Sequence, residues 1–168
     1  AVLSVDKKQL PLRENEDVNE LLNELCPVIF DPTLHPKRVN KADGVDLICT
    51  SACNYYDGVN QQEVENYYAK MKAEGPDSEQ PSYGLNSTLI KKGNSVREDV
   101  WKADGKYGAA IKQIIVWLER AKAFTENEQQ HKVISLLIKY YETGDLRDFD
   151  RYSIEWLHEQ DGMIDFIN

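Results

Sequence analysis

Cysteine, histidine and positive charge are all scarce in this 168-residue chain, which has three Cys, three His and 20 Lys+Arg against 29 Asp+Glu. An odd, sparse set of cysteines (Cys26, Cys49 and Cys53) does not make a disulfide framework, and it points to reduced thiols in a cytoplasmic, reducing compartment. A formal charge of −9 argues against DNA, RNA and anionic membrane surfaces as partners, because binding to polyanions is carried by Lys and Arg neutralising phosphates. Long apolar runs are missing too. The longest, Ile114 to Leu118, is far short of the roughly 20 residues that cross a bilayer. Lys7 and Lys8 fall where an export signal needs its apolar stretch, so no export peptide is expected. No repeat, low-complexity tract, glycine-rich phosphate cradle or Gly-x-Ser-x-Gly elbow occurs.

What is present is the composition of a folded protein, 41% hydrophobic and 10% aromatic. A chain of this size buries roughly 70% of its unfolded surface. The expectation is a single compact unit over residues 1–168.

Val18, Leu21, Leu22 and Leu25 recur at helical spacing, with Asn15 as the predicted N-cap and Pro27 as the predicted stop. Asp31-Pro32 and His35-Pro36 then punctuate a loop, because a residue before proline is pushed out of the α region. Alternation over Val45 to Thr50 predicts a strand. Asn60 and Glu63 form a capping-box pattern ahead of Val64, Tyr67, Tyr68 and Met71, which predicts a helix ending near Gly75-Pro76. Ser87–Lys92 and Ser95–Trp101 flank Gly93-Asn94, the pattern of a β-hairpin.

A long helix follows Gly105, with Ile111, Ile114, Trp117 and Leu118 expected to be buried against the stripe of Val133, Leu137 and Tyr140. Thr143-Gly144 ends that second helix, and Asp145 caps a third that runs to Gly162. Met163 to Ile167 is predicted as a strand. The fold class is α+β, mainly helical with a β-hairpin and a small sheet.

Chemistry is harder to find. His158-Glu159 resembles the start of a zinc helix, but Met163 stands where a second histidine would be needed and Gly162 spoils the shorter spacing. A solvated helix end is the ordinary reading. Cys49 and Cys53 lack a second ligand pair, and burial as small apolar thiols is their expected role. The tyrosine doublets Tyr67-Tyr68 and Tyr140-Tyr141 lie on apolar stripes, where core packing outweighs a stacking platform. Lys37, Arg38 and Lys41 form the one notable basic cluster. They suit a phosphate or carboxylate, or simply a solvated loop. No catalytic residue and no metal ligand is assigned.

Several ordered segments together resemble a known family. They are Pro27-Val-Ile-Phe-Asp-Pro-Thr with Pro36-Lys-Arg-Val-Asn, Thr50-Ser-Ala-Cys-Asn-Tyr-Tyr-Asp-Gly-Val, Tyr83-Gly-Leu-Asn-Ser, Ile115-Val-Trp-Leu-Glu-Arg-Ala-Lys, Leu137-Ile-Lys-Tyr-Tyr-Glu-Thr-Gly-Asp-Leu and Ile164-Asp-Phe-Ile-Asn. In that order they are similar to the bacterial branch of dipeptidyl peptidase III, a family of zinc-dependent exopeptidases.

The resemblance implies a fragment of a larger, two-lobed enzyme, from the lobe that does not carry zinc. Zinc then belongs to the full-length enzyme and not to this fragment, which alone would be inactive. The implied partners are a peptide substrate and the remainder of its own polypeptide. Asp165 is implied to hold the substrate's α-amino group, and Ile164 to line the cleft. Asp165 is shorter than the family's usual glutamate, and Ile167 stands where a substrate-contacting tyrosine is common. The alternative function is a non-catalytic helical interaction module.

Overall fold

The computed structural model describes residues 4–76 and 80–164. Among them are five α-helices and one three-stranded sheet, which is the mainly helical α+β class expected. Internal contacts divide the chain into two compact units, residues 1–53 and 54–168.

The first unit contains α1 (Val18–Phe30). Its N-cap is Asp17 rather than Asn15: the Asp17 carboxylate accepts from the amides of Asn19 and Glu20, while Glu20 returns a bond to the Asp17 amide. That reciprocal box satisfies donors the first turn leaves bare. Asn15 is instead left-handed, at φ 65°. Pro27 does not stop the helix. It lacks only the N–H that would reach four residues back, and α1 continues to Phe30.

The strand predicted over Val45–Thr50 is absent, and the segment turns around Asp46. The Asp46 carboxylate accepts from the amides of Ile48 (3.0 Å) and Cys49 (2.8 Å), and its carbonyl accepts from the Thr50 hydroxyl (2.6 Å). A short acidic side chain bonding its own neighbours competes successfully with a ladder. Cys49 and Cys53 therefore lie exposed on this irregular segment, contrary to the expected burial, and Cys26 is half-buried.

In the second unit, β1 (Tyr56–Asp57) runs parallel to β2 (Ser87–Lys92), which pairs antiparallel with β3 (Ser95–Val100). The hairpin is as predicted. The two-residue β1 was too short for alternation to mark. Helix α2 (Gln61–Glu74) starts on the predicted Asn60/Glu63 box.

Helices α3 (Gly108–Ala121), α4 (Glu128–Thr143) and α5 (Leu146–His158) form the helical layer. Its core is Val133, Leu137 and Tyr152, against which Leu118, Leu136, Tyr140, Tyr141 and Phe149 pack. Gly144 turns the chain between α4 and α5 at φ 68°. It also sits so close to β3 that a Cβ there would lie 2.6 Å from Val100 Cγ1.

The expected α3 stripe is buried only in part. Ile111 is buried and Leu118 joins the core, but Ile114 is exposed, as are Trp117 (63%) and Phe124 (82%). Apolar spacing defines a face, and only a partner buries it. Helix α5 ends at His158 rather than at Gly162, because residues 159–164 are drawn onto the start of α4. Met163 and Ile164 are not in a strand, and the rest of that predicted strand, 165–167, lies outside the described residues.

Candidate functional site

The segment after α5 is tied down by side chains from the first turn of α4. Asn127 caps α4 by accepting from the Gln130 amide (2.7 Å), and its own amide group donates to Glu159 Oε1 (2.7 Å). Glu159 in turn accepts from the Gly162 amide (3.1 Å). Gln129 donates to the Glu155 carbonyl near the end of α5 (2.8 Å).

Two further residues reach the chain just before Asp165. Glu126 Oε2 accepts from the Met163 amide (2.6 Å) and the Ile164 amide (3.3 Å). Gln130 Nε2 donates to the Ile164 carbonyl (2.8 Å), while Gln130 Oε1 accepts from the Glu126 amide (2.8 Å). The N–H and the C=O of Ile164 are thus both bonded, although the residue is 65% exposed. Asp165, the other residue singled out from sequence, lies outside the described residues.

A second constellation is built on the hairpin. Glu98 Oε1 on β3 accepts from the hydroxyls of Ser87 (2.7 Å) and Tyr68 (3.1 Å). Burial first, and then the Glu98 carboxylate, push the Tyr68 phenol well above its ordinary pKa, so it stays a neutral donor. Glu98 borders a cavity of about 400 Å³ together with Met71, Tyr83, Asn86 and Leu146, which shares no lining residue with the 159–164 segment. Arg147, also on its rim, is already engaged by the Asp145 carboxylate at 3.0 Å.

The basic cluster does come together in the first unit, where Lys37, Arg38 and Lys41 line one open depression with Pro32 and Pro36. The Lys37 ammonium donates to the Leu34 carbonyl within its own loop. His158 is exposed at the end of α5. Among the described residues, no three His, Cys, Asp or Glu side chains converge to hold a metal ion. No described helix is long and apolar enough to cross a membrane.

Comparison with known proteins decides the family. The model of peptidase family M49 matches residues 52–167, more than half of the chain. The chain belongs to peptidase family M49, the dipeptidyl peptidase III family. The match takes in α2, the hairpin and α3 to α5, the same unit that carries the packed core and the tied-down segment.

Among solved structures, the dipeptidyl-peptidase III from Corallococcus sp. strain EGB is similar at 18% identity and a TM-score of 0.47, over 72% of this chain and 21% of that one. The chain therefore spans about a fifth of that protein's length. No curated protein matches. M49 peptidases are generally zinc-dependent, and the described residues of this M49 chain do not fit a zinc centre.

Sequence reasoning named Ile164 through its family likeness and missed Glu126 and Gln130. One signal was there. Gln130 is three residues before Val133 and seven before Leu137, so a polar amide occupies a position on the core-facing stripe. A polar group at such a position needs a partner.

Proposed function

We propose that this chain is the substrate-side part of a zinc-dependent dipeptidyl peptidase that releases dipeptides from the free N-terminus of short peptides. The observation that carries the reading is the M49 match over residues 52–167. In this reading Asp165 holds the α-ammonium of the substrate and Ile164 lines the cleft, while zinc and its ligands belong to the remainder of the polypeptide. A carboxylate at the ammonium site makes chemical sense for an exopeptidase, since a charge-assisted hydrogen bond to a chain end discriminates against internal peptide bonds. The compartment proposed is the cytoplasm.

The test is expression of the complete reading frame beside residues 1–168 alone. The complete protein is expected to hold about one zinc per chain and to release dipeptides from unblocked peptides, and the 168-residue chain is expected to do neither. Hydrolysis by the short chain, or a complete protein without peptidase activity, would overturn the reading.

The exposed Trp117 and Phe124 on and beyond α3 favour a second reading, a non-catalytic helical module that docks a partner. The same assay separates the two, because a module of that kind leaves the complete protein without hydrolysis.

A further inference from the structure

We infer that the cavity lined by α2, β3 and the start of α5 binds a primary ammonium group carried on an apolar stem, with the Glu98 carboxylate as its acceptor. The inference does not rest on the roles proposed above for Ile164 and Asp165.

Glu98 is placed by the elements around it. Residues two apart on a strand share a face, so Glu98 and Val100 of β3 both line the cavity, and Ser87 of β2 lies opposite Val100 in the register. Tyr68 and Met71, one turn apart on α2, bring a donor for Glu98 and a wall of the cavity from the same side of that helix. One carboxylate oxygen, Oε1, accepts both hydroxyls, from Ser87 at 2.7 Å and Tyr68 at 3.1 Å. Ser87 is 1% exposed, so water does not compete for its bond.

A neutral amide would tie α2 to the hairpin as well as this carboxylate does. What the tie leaves unused is the charge and the second oxygen. No Lys or Arg among the described residues pairs with Glu98, and no described donor reaches its Oε2. Arg147, the one cation among the described lining residues, is held by Asp145 through bonds of 3.1 and 3.0 Å. Asn86 is committed too, donating to the Gly144 carbonyl at 2.9 Å. A half-buried carboxylate without an opposite charge is a costly arrangement, and an ammonium ligand supplies the missing partner in a charge-assisted bond. Met71, Val100 and Leu146 offer apolar wall to its stem, and a volume of about 400 Å³ suits a small ligand.

The experiment titrates the full-length protein by ligand-observed NMR with three probes: n-butylammonium, 1-butanol as the same stem without the charge, and Nα-acetyl-lysine N-methylamide. Glu98→Gln keeps the shape and an acceptor for Ser87 and Tyr68, and is expected to weaken n-butylammonium about 10- to 150-fold, the factor carried by a hydrogen bond to a charged group. For the wild type, 1-butanol should bind at least about tenfold more weakly than n-butylammonium. Met71→Trp, which fills the cavity and leaves Glu98 in place, should abolish binding and keeps the inference testable if Glu98→Gln does not fold. The lysine probe separates the two sources of this chemistry. Binding as tight as that of n-butylammonium assigns the cavity to a lysine side chain of a peptide, and much weaker binding assigns it to a free amine.

Equal binding of n-butylammonium by the wild type and Glu98→Gln, equal binding by the wild type and Met71→Trp, or 1-butanol binding as tightly as n-butylammonium would each overturn the ammonium site, as would n-butylammonium failing to bind the wild type at about 10 mM, a concentration well above the Kd of a weak small-ligand site. Binding is read without hydrolysis, so such a failure leaves the peptidase reading standing, and a complete protein without hydrolysis leaves the ammonium site standing.

Discussion

The two units of the chain spend similar apolar residues in different ways. Among its described residues, the first unit buries only Val18 and Leu21, while Leu25, Val28, Ile29 and Phe30 of the same helix stay exposed. What orders it is local and polar: the Asp17/Glu20 box, the two-pronged bond from Arg13 to Glu24, and the turn around Asp46. The second unit closes a core in which Val133 is fully buried and aromatic rings from α4 and α5 meet. Hydrogen bonds close to home give a segment its shape but exclude little water, and burial supplies most of the favourable free energy of folding. The family match begins at residue 52, two residues before the second unit begins at Asn54.

The sharpest way to break this comparison is to truncate one apolar side chain in each unit. Leu137→Ala should cost about 2–5 kcal/mol, the usual range for emptying a well-packed site. Phe30→Ala, at a residue that is largely exposed, should change stability by less than about 0.5 kcal/mol. Denaturant melts read both. A large loss at Phe30 or a negligible one at Leu137 would refute the contrast.

A smaller effect is expected at Asp148, a buried carboxylate on α5. It accepts from the Lys139 ammonium (2.8 Å) and the Thr143 hydroxyl (2.9 Å), tying α5 to α4. Burial alone would raise its pKa, but those two bonds and the nearby positive charge bring it below the ordinary value. A lowered folded-state pKa stabilises the fold above the unfolded pKa near 4, and that stabilisation is lost as pH falls through the folded value. Asp148→Asn should therefore cost about 1.5–3 kcal/mol at pH 7. The gap between variant and wild type should narrow below about pH 4. A gap that persists in acid would mean that shape, and not charge, is what Asp148 contributes.

The smallest effect is expected at Trp117. Its exposed ring meets only the Arg120 guanidinium, 4.7 Å from the ring centroid, among the ring contacts the structure describes. Trp117→Lys should change the stability of the 168-residue chain by less than about 0.5 kcal/mol. A large loss would show that the face of α3 is covered in solution.

The hairpin was legible because Gly93-Asn94 interrupts two alternating runs, and α4 and α5 were legible because Thr143-Gly144-Asp145 carries a stop and a cap side by side. These are local signals. Asp46 was misread because a β-branched neighbourhood looks the same whether its backbone donors go to a ladder or to one carboxylate. The grip on Ile164 was out of reach for a different reason: Gln130 and Ile164 are 34 residues apart, and only the packing of α5 on α4 brings them together. Asp165 and Ile164 were named by family likeness alone, and the bonds around Ile164 came from the fold.

The most direct test of the central claim is the effect of Asp165→Ala on kcat/KM in the full-length protein, measured on the same peptides with free and with acetylated N-termini. The account predicts a loss of about 10- to 150-fold on free-amine peptides, the range carried by a hydrogen bond to a charged group, with little change on acetylated ones and unchanged zinc content. Equal cleavage of free-amine peptides by variant and wild type would contradict it.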